Sequence, residues 1–367
     1  MQMIRNMLKM PVFCLTMALL IGLAVCQWCL PEREMSEMEN RVLSKKPALT
    51  FSGFWSGDYA TQLEKFSADQ LPLRDAFVSV YATMQAGLGR RVVGDAMLGE
   101  DGFLFDTATE LKARNVELNT RTLVELAELT GKEAYLLLVP AAATVYADKR
   151  PEGAAEAGEI AVIEQAAQRM TVIPLLEDMM DSGREDLYYA MDHHWTAAGA
   201  RFGYEAVCET LGLTPVAEGT VVSWEGFYGS FYARYPLPWL QADVLTYEAV
   251  PGIRLVVNGE EKAGLVDEAA LAGRDKYAAL LYGNHGYMEL INDGVEDGVL
   301  LVIKDSYANA LLPVLAQHYH RIIAVDPRYF AGNIVELTNE YEGEVILCVC
   351  GTGTLAALKD IAVMEGF

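Results

Sequence analysis

Residues 299–307 read VLLVIKDSY, an apolar run that ends in charged and hydroxyl side chains. An uninterrupted apolar run of this kind is typical of a strand that is buried on both faces of a sheet. Comparable runs occupy residues 133–139, 321–326 and 344–350, and helical patterns lie between them. This alternation predicts an α/β fold with a parallel or mixed sheet flanked by helices.

Residues 215–295 interrupt that alternation, because aromatic residues, glycines and prolines are concentrated there. We interpret this stretch as an aromatic-rich insertion of strands and loops in the core domain. Helices are predicted over residues 54–90, 107–130, 161–170 and 196–211, the last with Thr196 as its N-cap. We therefore expect a linker and helical segment over residues 31–92, followed by an α/β domain over residues 93–367.

Residues 11–30 contain no charged side chain and are long enough to cross a bilayer core of ~30 Å as a helix. Arg5 and Lys9 precede this run, and glutamates follow it. The positive-inside rule predicts residues 1–10 in the cytoplasm, one transmembrane helix over 11–30, and the main domain outside the cell membrane. A cleaved or lipoprotein signal is the alternative, although no Ala-x-Ala site ends the run.

The composition restricts the class of partner. A formal net charge of -23 argues against nucleic acid, because nothing offsets the repulsion from phosphates. A hydrophobic content of 52% excludes a largely disordered chain. The six cysteines show neither zinc-finger spacing nor a disulfide framework. The same negative charge repels anionic lipid headgroups, so any membrane association depends on residues 11–30.

Residues 192–195 read DHHW and place a carboxylate and two imidazoles just before a predicted helix. If Asp192 contacts Nδ1 of His194, Nε2 is free to accept a proton from a nucleophile. Ser306 is the best candidate nucleophile, because it follows a buried strand at the carboxyl edge of the sheet, where reactive groups collect. Two alternatives remain open: Ser306 as a helix N-cap, and His193 as the base.

Metal binding is a further interpretation of the histidines, and His285 could add a ligand. No clustered His/Cys spacing supports it, so we expect neither a metal nor a cofactor.

Several neighbours are candidates for binding the substrate or an oxyanion. Gly283 allows close backbone approach, and Asn284 offers an amide donor. Arg328 and Tyr329 follow another strand at the same predicted edge, and an ordinary turn explains these four residues equally well. His193 and Trp195 are candidates because they flank the predicted base.

Taken together, these motifs resemble the DHHW protein family, which is similar to the SGNH-hydrolase-like O-acetyltransferases of alginate biosynthesis. Each motif is weak alone, but seven in consistent order cover most of the chain outside the apolar segment. They are ENR at 39–41, DQLPLR at 69–74, GEDGFL at 99–104, DHHWT at 192–196, YGNH at 282–285, KDSY at 304–307 and DPRYF at 326–330.

The resemblance implies an SGNH-like α/β fold and a triad of Ser306 as nucleophile, His194 as base and Asp192 as orienting carboxylate. This order is permuted relative to ordinary SGNH hydrolases, in which the serine comes first. Lys304 stands where many of those enzymes have glycine.

The function that the resemblance implies is extracytoplasmic O-acetylation of a polysaccharide through an acetyl-serine intermediate. The glycan is then the acceptor, and a polytopic membrane O-acyltransferase is the expected partner that supplies acetyl groups. Two alternatives use the same fold: a carbohydrate esterase in which water is the acceptor, and a non-catalytic protein of glycan binding or assembly.

Overall fold

The structure is a computed structural model that describes residues 10–36, 38, 41–107, 111–156, 158–341 and 343–364. The chain divides into two compact units, one of residues 1–89 with 236–238 and one of residues 90–235 with 239–367. The predicted start of the α/β domain at residue 93 lies close to this division. Residues 1–9, which carry the predicted cytoplasmic segment, and the motif residues Glu39 and Asn40 lie outside the described residues.

The first unit begins with the apolar helix α1, and no side chain of that helix is buried. This helix is long and apolar enough to cross a membrane, although an N-terminal signal sequence has the same properties. The helical segment predicted over 54–90, with its interruption at Pro72, consists of three helices: Gly57, with φ at 84°, separates α2 from α3, and Pro72 lies between α3 and α4. The elements of this unit are α1 (Pro11–Cys29), β1 (Met35–Ser36), β2 (Arg41–Val42), α2 (Phe51–Ser56), α3 (Asp58–Asp69) and α4 (Arg74–Gly87).

Two of the motifs have a structural role in this unit. The guanidinium of Arg41 donates to both carboxylate oxygens of Asp69, at 2.6 and 3.0 Å. This ion pair and the Ser44 N–H hold the pKa of Asp69 well below its usual range. The adjacent Gln70 donates through its amide to the carbonyl oxygens of Arg33 and Ser44. The motif at 69–74 therefore fastens the linker to α3.

The second unit carries the α/β fold. Its strands are β3 (Val92–Val93), β4 (Ala96–Leu98), β5 (Leu104–Asp106), β6 (Glu133–Val139), β7 (Thr171–Val172), β8 (Thr220–Phe227), β9 (Asp243–Ala249), β10 (Ile253–Val257), β11 (Glu260–Glu261), β12 (Tyr287–Asn292), β13 (Val299–Lys304), β14 (Arg321–Val325) and β15 (Val345–Gly351).

Helices lie between these strands. They are α5 (Ala113–Thr130), α6 (Ala142–Val145), α7 (Glu159–Ala167), α8 (Leu176–Asp181), α9 (Ala197–Leu211), α10 (Ser230–Arg234), α11 (Ala308–Leu315), α12 (Ile334–Glu340) and α13 (Thr352–Ala357). Short 3₁₀ turns occur at Ala147–Lys149, Ala270–Ala272, Lys276–Ala279, Ala316–His318 and Ile361–Val363.

An eight-stranded mixed sheet forms the centre of this unit, in the order β11-β10-β12-β14-β13-β15-β6-β7. The strands from β14 to β7 are parallel, and β12, β10 and β11 extend the sheet antiparallel. Alternate residues of β13 belong to two separate cores, with Leu300 and Val302 on one face and Leu301 and Ile303 on the other. Burial on both faces explains why this strand reads as an unbroken apolar run.

The predicted insertion over residues 215–295 is wrong in its extent. Only its first part, β8 and β9, pairs as a separate two-stranded sheet. Strands β10 and β12 belong to the central sheet, where Leu255 pairs with Leu290 and Leu290 in turn with Ile322. Antiparallel addition to the sheet edge needs no crossover helix, so the expected β–helix alternation is absent there.

Helix boundaries differ from the prediction mainly at their starts. The helix predicted from residue 107 begins at Ala113, and it ends as predicted at Gly131, where φ is 66°. The helix predicted over 161–170 spans Glu159–Ala167. Thr196 caps α9 as predicted, because its side chain accepts from the Gly199 N–H.

Candidate active site

The turn that carries Ser306 lies at the carboxyl end of β13, which pairs in parallel with β14 and β15. Asp305 shapes this turn: its Oδ1 accepts from the Tyr307 N–H at 3.0 Å and its Oδ2 from the Gly351 N–H at 2.8 Å. Burial raises the pKa of Asp305, while these two backbone donors oppose the shift. The turn is thereby tied to the end of β15.

The capping alternative for Ser306 is wrong. Helix α11 begins at Ala308, its N-cap residue is Tyr307, and no side chain caps it. The Ser306 hydroxyl lies instead 2.7 Å from Nε2 of His194. Ser306 is half-buried, so its hydroxyl combines a fixed partner with partial access from solvent.

The structure brings Ser306, His194 and Asp192 together, although 112 residues separate the serine from the histidine. Nδ1 of His194 lies 2.6 Å from Oδ1 of Asp192, and Nε2 faces Ser306. Asp192 and His194 are 4% and 6% exposed, so water competes little with their hydrogen bond. This arrangement is that of a Ser-His-Asp triad. The catalytic roles of the three residues stay a prediction.

Asp192 is held as a carboxylate. Burial by itself raises the pKa of this group, but His193, His194 and the Ser230 N–H outweigh burial and lower the pKa well below its usual range. The Ser230 N–H reaches Oδ2 at 2.7 Å. Gly229 makes this approach possible, because a Cβ there would collide with Asp192 and with the Met191 carbonyl oxygen. An ionised Asp192 is suited to stabilising an imidazolium on His194.

His194, rather than His193, has the geometry of a general base. Nδ1 of His193 lies 2.9 Å from Oγ of Ser230 and 3.6 Å from Asp192, so this nitrogen is engaged by partners other than Ser306. Burial and the adjacent His194 lower the pKa of His193 to about 4, which keeps its ring neutral near pH 7. His193 therefore packs beside the base, with ring centroids 3.8 Å apart.

Tyr277 is a residue that the motifs did not reveal. Its ring stacks on the imidazole of His194, with centroids 3.6 Å apart and planes 8° from parallel. Its hydroxyl donates to the carbonyl oxygen of Ser306 at 3.2 Å. One side chain therefore contacts both the base and the nucleophile turn. Tyr277 lies in a 3₁₀ turn, which gives it no recognisable pattern in the sequence.

We predict that the stacked ring of Tyr277 matters more than its hydroxyl. Tyr277→Leu is expected to lower kcat of ester turnover by about 10²-fold, because misplacing a catalytic group by ~1 Å has an effect of that size. Tyr277→Phe keeps the ring and is expected to stay within about threefold of the wild type, since one neutral hydrogen bond contributes about 1 kcal/mol or less. Steady-state kinetics of both variants, with melting temperatures as the folding control, test this. Equal activities for the leucine and phenylalanine variants would contradict it.

Lys304 organises the residues behind Ser306. Its Nζ donates to Oδ1 of Asn309 at 2.6 Å and to Oδ1 of Asn284 at 3.3 Å. Burial lowers the pKa of Lys304 to about 8, with the carboxylates of Asp326 and Asp305 opposing the shift. Because the amide oxygen of Asn284 accepts from Lys304, its amide nitrogen is the end left for a ligand.

The remaining candidates divide into buried and accessible residues. Trp195 is fully buried and donates through Nε1 to the Tyr307 carbonyl oxygen, so the prediction that it contacts substrate is wrong. The Arg328 guanidinium pairs in bidentate fashion with Asp326, which occupies it within its own turn. Gly283 and Asn284 are half-buried and Tyr329 is 58% exposed, so these three stay candidates.

Within the described residues, one group of side chains is arranged closely enough to hold a metal ion. Asp192, His193 and His194 present ligand atoms within 4.8 Å of one another. Two of these atoms already lie at hydrogen-bond distance from each other, and the free nitrogen of His194 faces Ser306. His285, the fourth ligand considered, instead donates through Nε2 to the Tyr282 carbonyl oxygen at 2.7 Å. The donor set therefore fits proton transfer better than a closed metal site.

Comparison with known proteins identifies one family match. The DHHW protein family model matches residues 144–325, a range that contains the DHHW motif and the KDSY turn. No curated protein matches the chain.

Solved structures share the fold at low sequence identity. A DHHW family protein from Eubacterium siraeum is 20% identical, with a TM-score of 0.61 over 74% of this chain and 97% of that one. PatB1 of Bacillus cereus, solved with a sulfonyl adduct, is 18% identical, with a TM-score of 0.61 over 73% and 98% of the two chains. The O-acetyltransferase domain of Pseudomonas putida AlgJ is 16% identical, with a TM-score of 0.46 over 74% and 95%.

The predicted fold class, an α/β fold with a mixed sheet flanked by helices, is confirmed. The predicted resemblance is confirmed as well: over residues 144–325 this chain matches the DHHW protein family.

Proposed function

We propose that this protein is an extracytoplasmic O-acetyltransferase that acetylates a hydroxyl of a cell-surface or exported polysaccharide. The observation that carries the proposal is the continuous hydrogen-bonded chain from Asp192 through His194 to Ser306, with lengths of 2.6 and 2.7 Å. A serine hydroxyl by itself is a weak nucleophile, and an oriented imidazole is what activates it.

In the first half-reaction the Ser306 oxygen attacks the acetyl carbonyl carbon while His194 takes the hydroxyl proton. The tetrahedral intermediate collapses to acetyl-Ser306, and His194 returns the proton to the leaving group. In the second half-reaction His194 takes the proton of a sugar hydroxyl, whose oxygen attacks the acetyl carbon. The acetylated sugar leaves, and the proton returns to the Ser306 oxygen.

Two donors are candidates for stabilising the oxyanion of both intermediates. Within the described residues the Ser306 N–H has no hydrogen-bond acceptor, and it precedes the first turn of α11. The amide nitrogen of Asn284 is the second candidate, because Lys304 holds the amide oxygen. Preorganised donors of this kind commonly contribute about 10²–10³-fold each to kcat.

On this proposal α1 is an uncleaved anchor, with residues 1–10 in the cytoplasm and the catalytic unit outside the membrane. A polytopic membrane O-acyltransferase supplies the acetyl groups, and a glycan accepts them. PatB1 supports a nucleophilic role for this fold, since its structure carries a sulfonyl adduct, and a sulfonyl electrophile reports an activated nucleophile.

Trapping and product analysis test the proposal together. A serine-directed phosphonate is expected to modify Ser306 and no other serine of the full-length protein in detergent. Incubation with a chromogenic acetyl ester and an oligosaccharide is expected to give acetylated oligosaccharide. Free acetate alone would identify an esterase instead. Glycan binding without Ser306-dependent turnover would identify a non-catalytic protein.

A further inference from the structure

A cleft of about 570 Å³ opens beside the triad, at the carboxyl ends of β6 and β15. It reaches the triad through His193 and Tyr307, the neighbours of the base and of the nucleophile. The rest of its wall is largely apolar, with contributions from Phe105, Leu111, Val139, Ala142, Phe231 and Leu358. The cleft therefore adjoins the triad without including Ser306 or His194 in its wall.

The charges of this cleft are unbalanced toward the negative. Arg234 is the one guanidinium or ammonium group among the described residues that line it. That guanidinium pairs with the carboxylates of Asp106 and Asp95, the latter at 3.3 Å, so two anions face one cation. The ring of Phe231 lies against it, with 5.4 Å between the guanidinium carbon and the ring centroid. Glu159, a buried side chain whose pKa burial raises, is the second carboxyl group of the wall besides Asp106.

A carboxylate or phosphate on the substrate therefore meets no uncompensated cation in this cleft. Sites that recognise such anions commonly offer an arginine fork, and here Nη1 of Arg234 is already paired with the carboxylates of Asp106 and Asp95. An uncharged sugar carries no anion that must be desolvated, and the apolar wall and the Phe231 ring suit its C–H faces.

We propose that this cleft binds the acceptor sugar and selects an uncharged ring over a uronic acid or a phosphorylated sugar. The selection rests on the proposed acyl transfer at Ser306. Asp106 and Asp95 produce the selection for an uncharged ring because they neutralise Arg234. Repulsion between a substrate anion and the excess carboxylate strengthens this selection.

A matched pair of aryl acetates tests this selection, because their leaving groups occupy the acceptor position. The full-length protein in detergent is assayed with 4-acetoxybenzoate and with its methyl ester, and each kcat/KM is divided by the hydroxide-catalysed rate of the same ester. We expect the neutral ester to be favoured at least tenfold. Asp106→Asn leaves Asp95 as the one carboxylate paired with Arg234, which removes the excess negative charge, and is expected to reduce this preference about fivefold or more.

Two further variants isolate the cause. Arg234→Gln leaves the carboxylates unopposed and is expected to widen the preference for the neutral ester. Glu260→Gln makes the same charge change as Asp106→Asn on β11, at the far edge of the sheet and 79% exposed at its side chain, and is expected to leave the preference unchanged.

The outcomes separate the two proposals. Ser306-dependent turnover with equal or greater use of the anionic ester overturns the charge selection and leaves the acyl chemistry standing. An unchanged preference in both the Asp106 and the Arg234 variants also overturns it. No Ser306-dependent turnover of either ester overturns the proposed function, and the selection with it.

Discussion

Ser306→Ala and His194→Ala are each expected to lower kcat by roughly 10⁶-fold, and Asp192→Asn by roughly 10⁴-fold, by analogy with the measured triad of subtilisin. The difference follows from the geometry, because Ser306 and His194 exchange the proton directly, whereas Asp192 orients the ring and stabilises its charge. The measurement is single-turnover release of the aryl group from a chromogenic acetyl ester, so that acylation is observed without deacylation.

The triad residues are expected to act as one unit. The double variant Ser306→Ala/His194→Ala should then be no slower than either single variant, because removing one partner already disables the other. Ser230→Ala is the matched control: its hydroxyl contacts His193 only, and the backbone N–H that holds Asp192 remains. Losses that multiply in the double variant would show that Ser306 and His194 work independently.

Local patterns predicted the parts of this protein that local physics determines. The strand over residues 133–139 was predicted to the residue, since a buried parallel strand reads as an apolar run. Thr196 and Gly131 were identified as helix ends because a hydroxyl cap and a left-handed φ have clear preferences among residue types. The pairing of Asp192 with His194 needs only a spacing of two residues, and it too is local.

The sequence alone does not indicate those site residues whose positions depend on contacts between distant parts of the chain. Tyr277 meets His194 across 83 residues of chain only through the fold, so no spacing pointed to it. Gly229 and Ser230 support Asp192 from a loop that reads as part of an aromatic-rich stretch. The sequence predicts a substrate contact for Trp195 from its position beside the histidines. That position does not determine which way the indole faces, and this is why the prediction fails.

The burial of Trp195 leads to the largest expected change in stability. The indole is 0% exposed, and it fits against two glycines of α9: a Cβ at Gly203 would lie 2.7 Å from the indole ring, and one at Gly199 would lie 2.8 Å from the Trp195 Cβ. Its Nε1 donates to the Tyr307 carbonyl oxygen at 2.9 Å, which links the DHHW segment to the nucleophile turn. The Trp195 side chain therefore fills the core and also links the segment that carries Asp192 and His194 to the turn that carries Ser306.

Trp195→Ala is expected to lower the free energy of unfolding by about 3–5 kcal/mol, because it leaves a large cavity that the rigid helix cannot close. It also leaves the Tyr307 carbonyl without its donor, so ester turnover in the fraction that remains folded should fall as well. Trp195→Phe keeps most of the packing and removes the N–H, which separates the two effects. Calorimetry and denaturant unfolding of the full-length protein measure the stability. A phenylalanine variant as unstable as the alanine variant would show that the hydrogen bond to Tyr307, and not the packing against α9, dominates at this position.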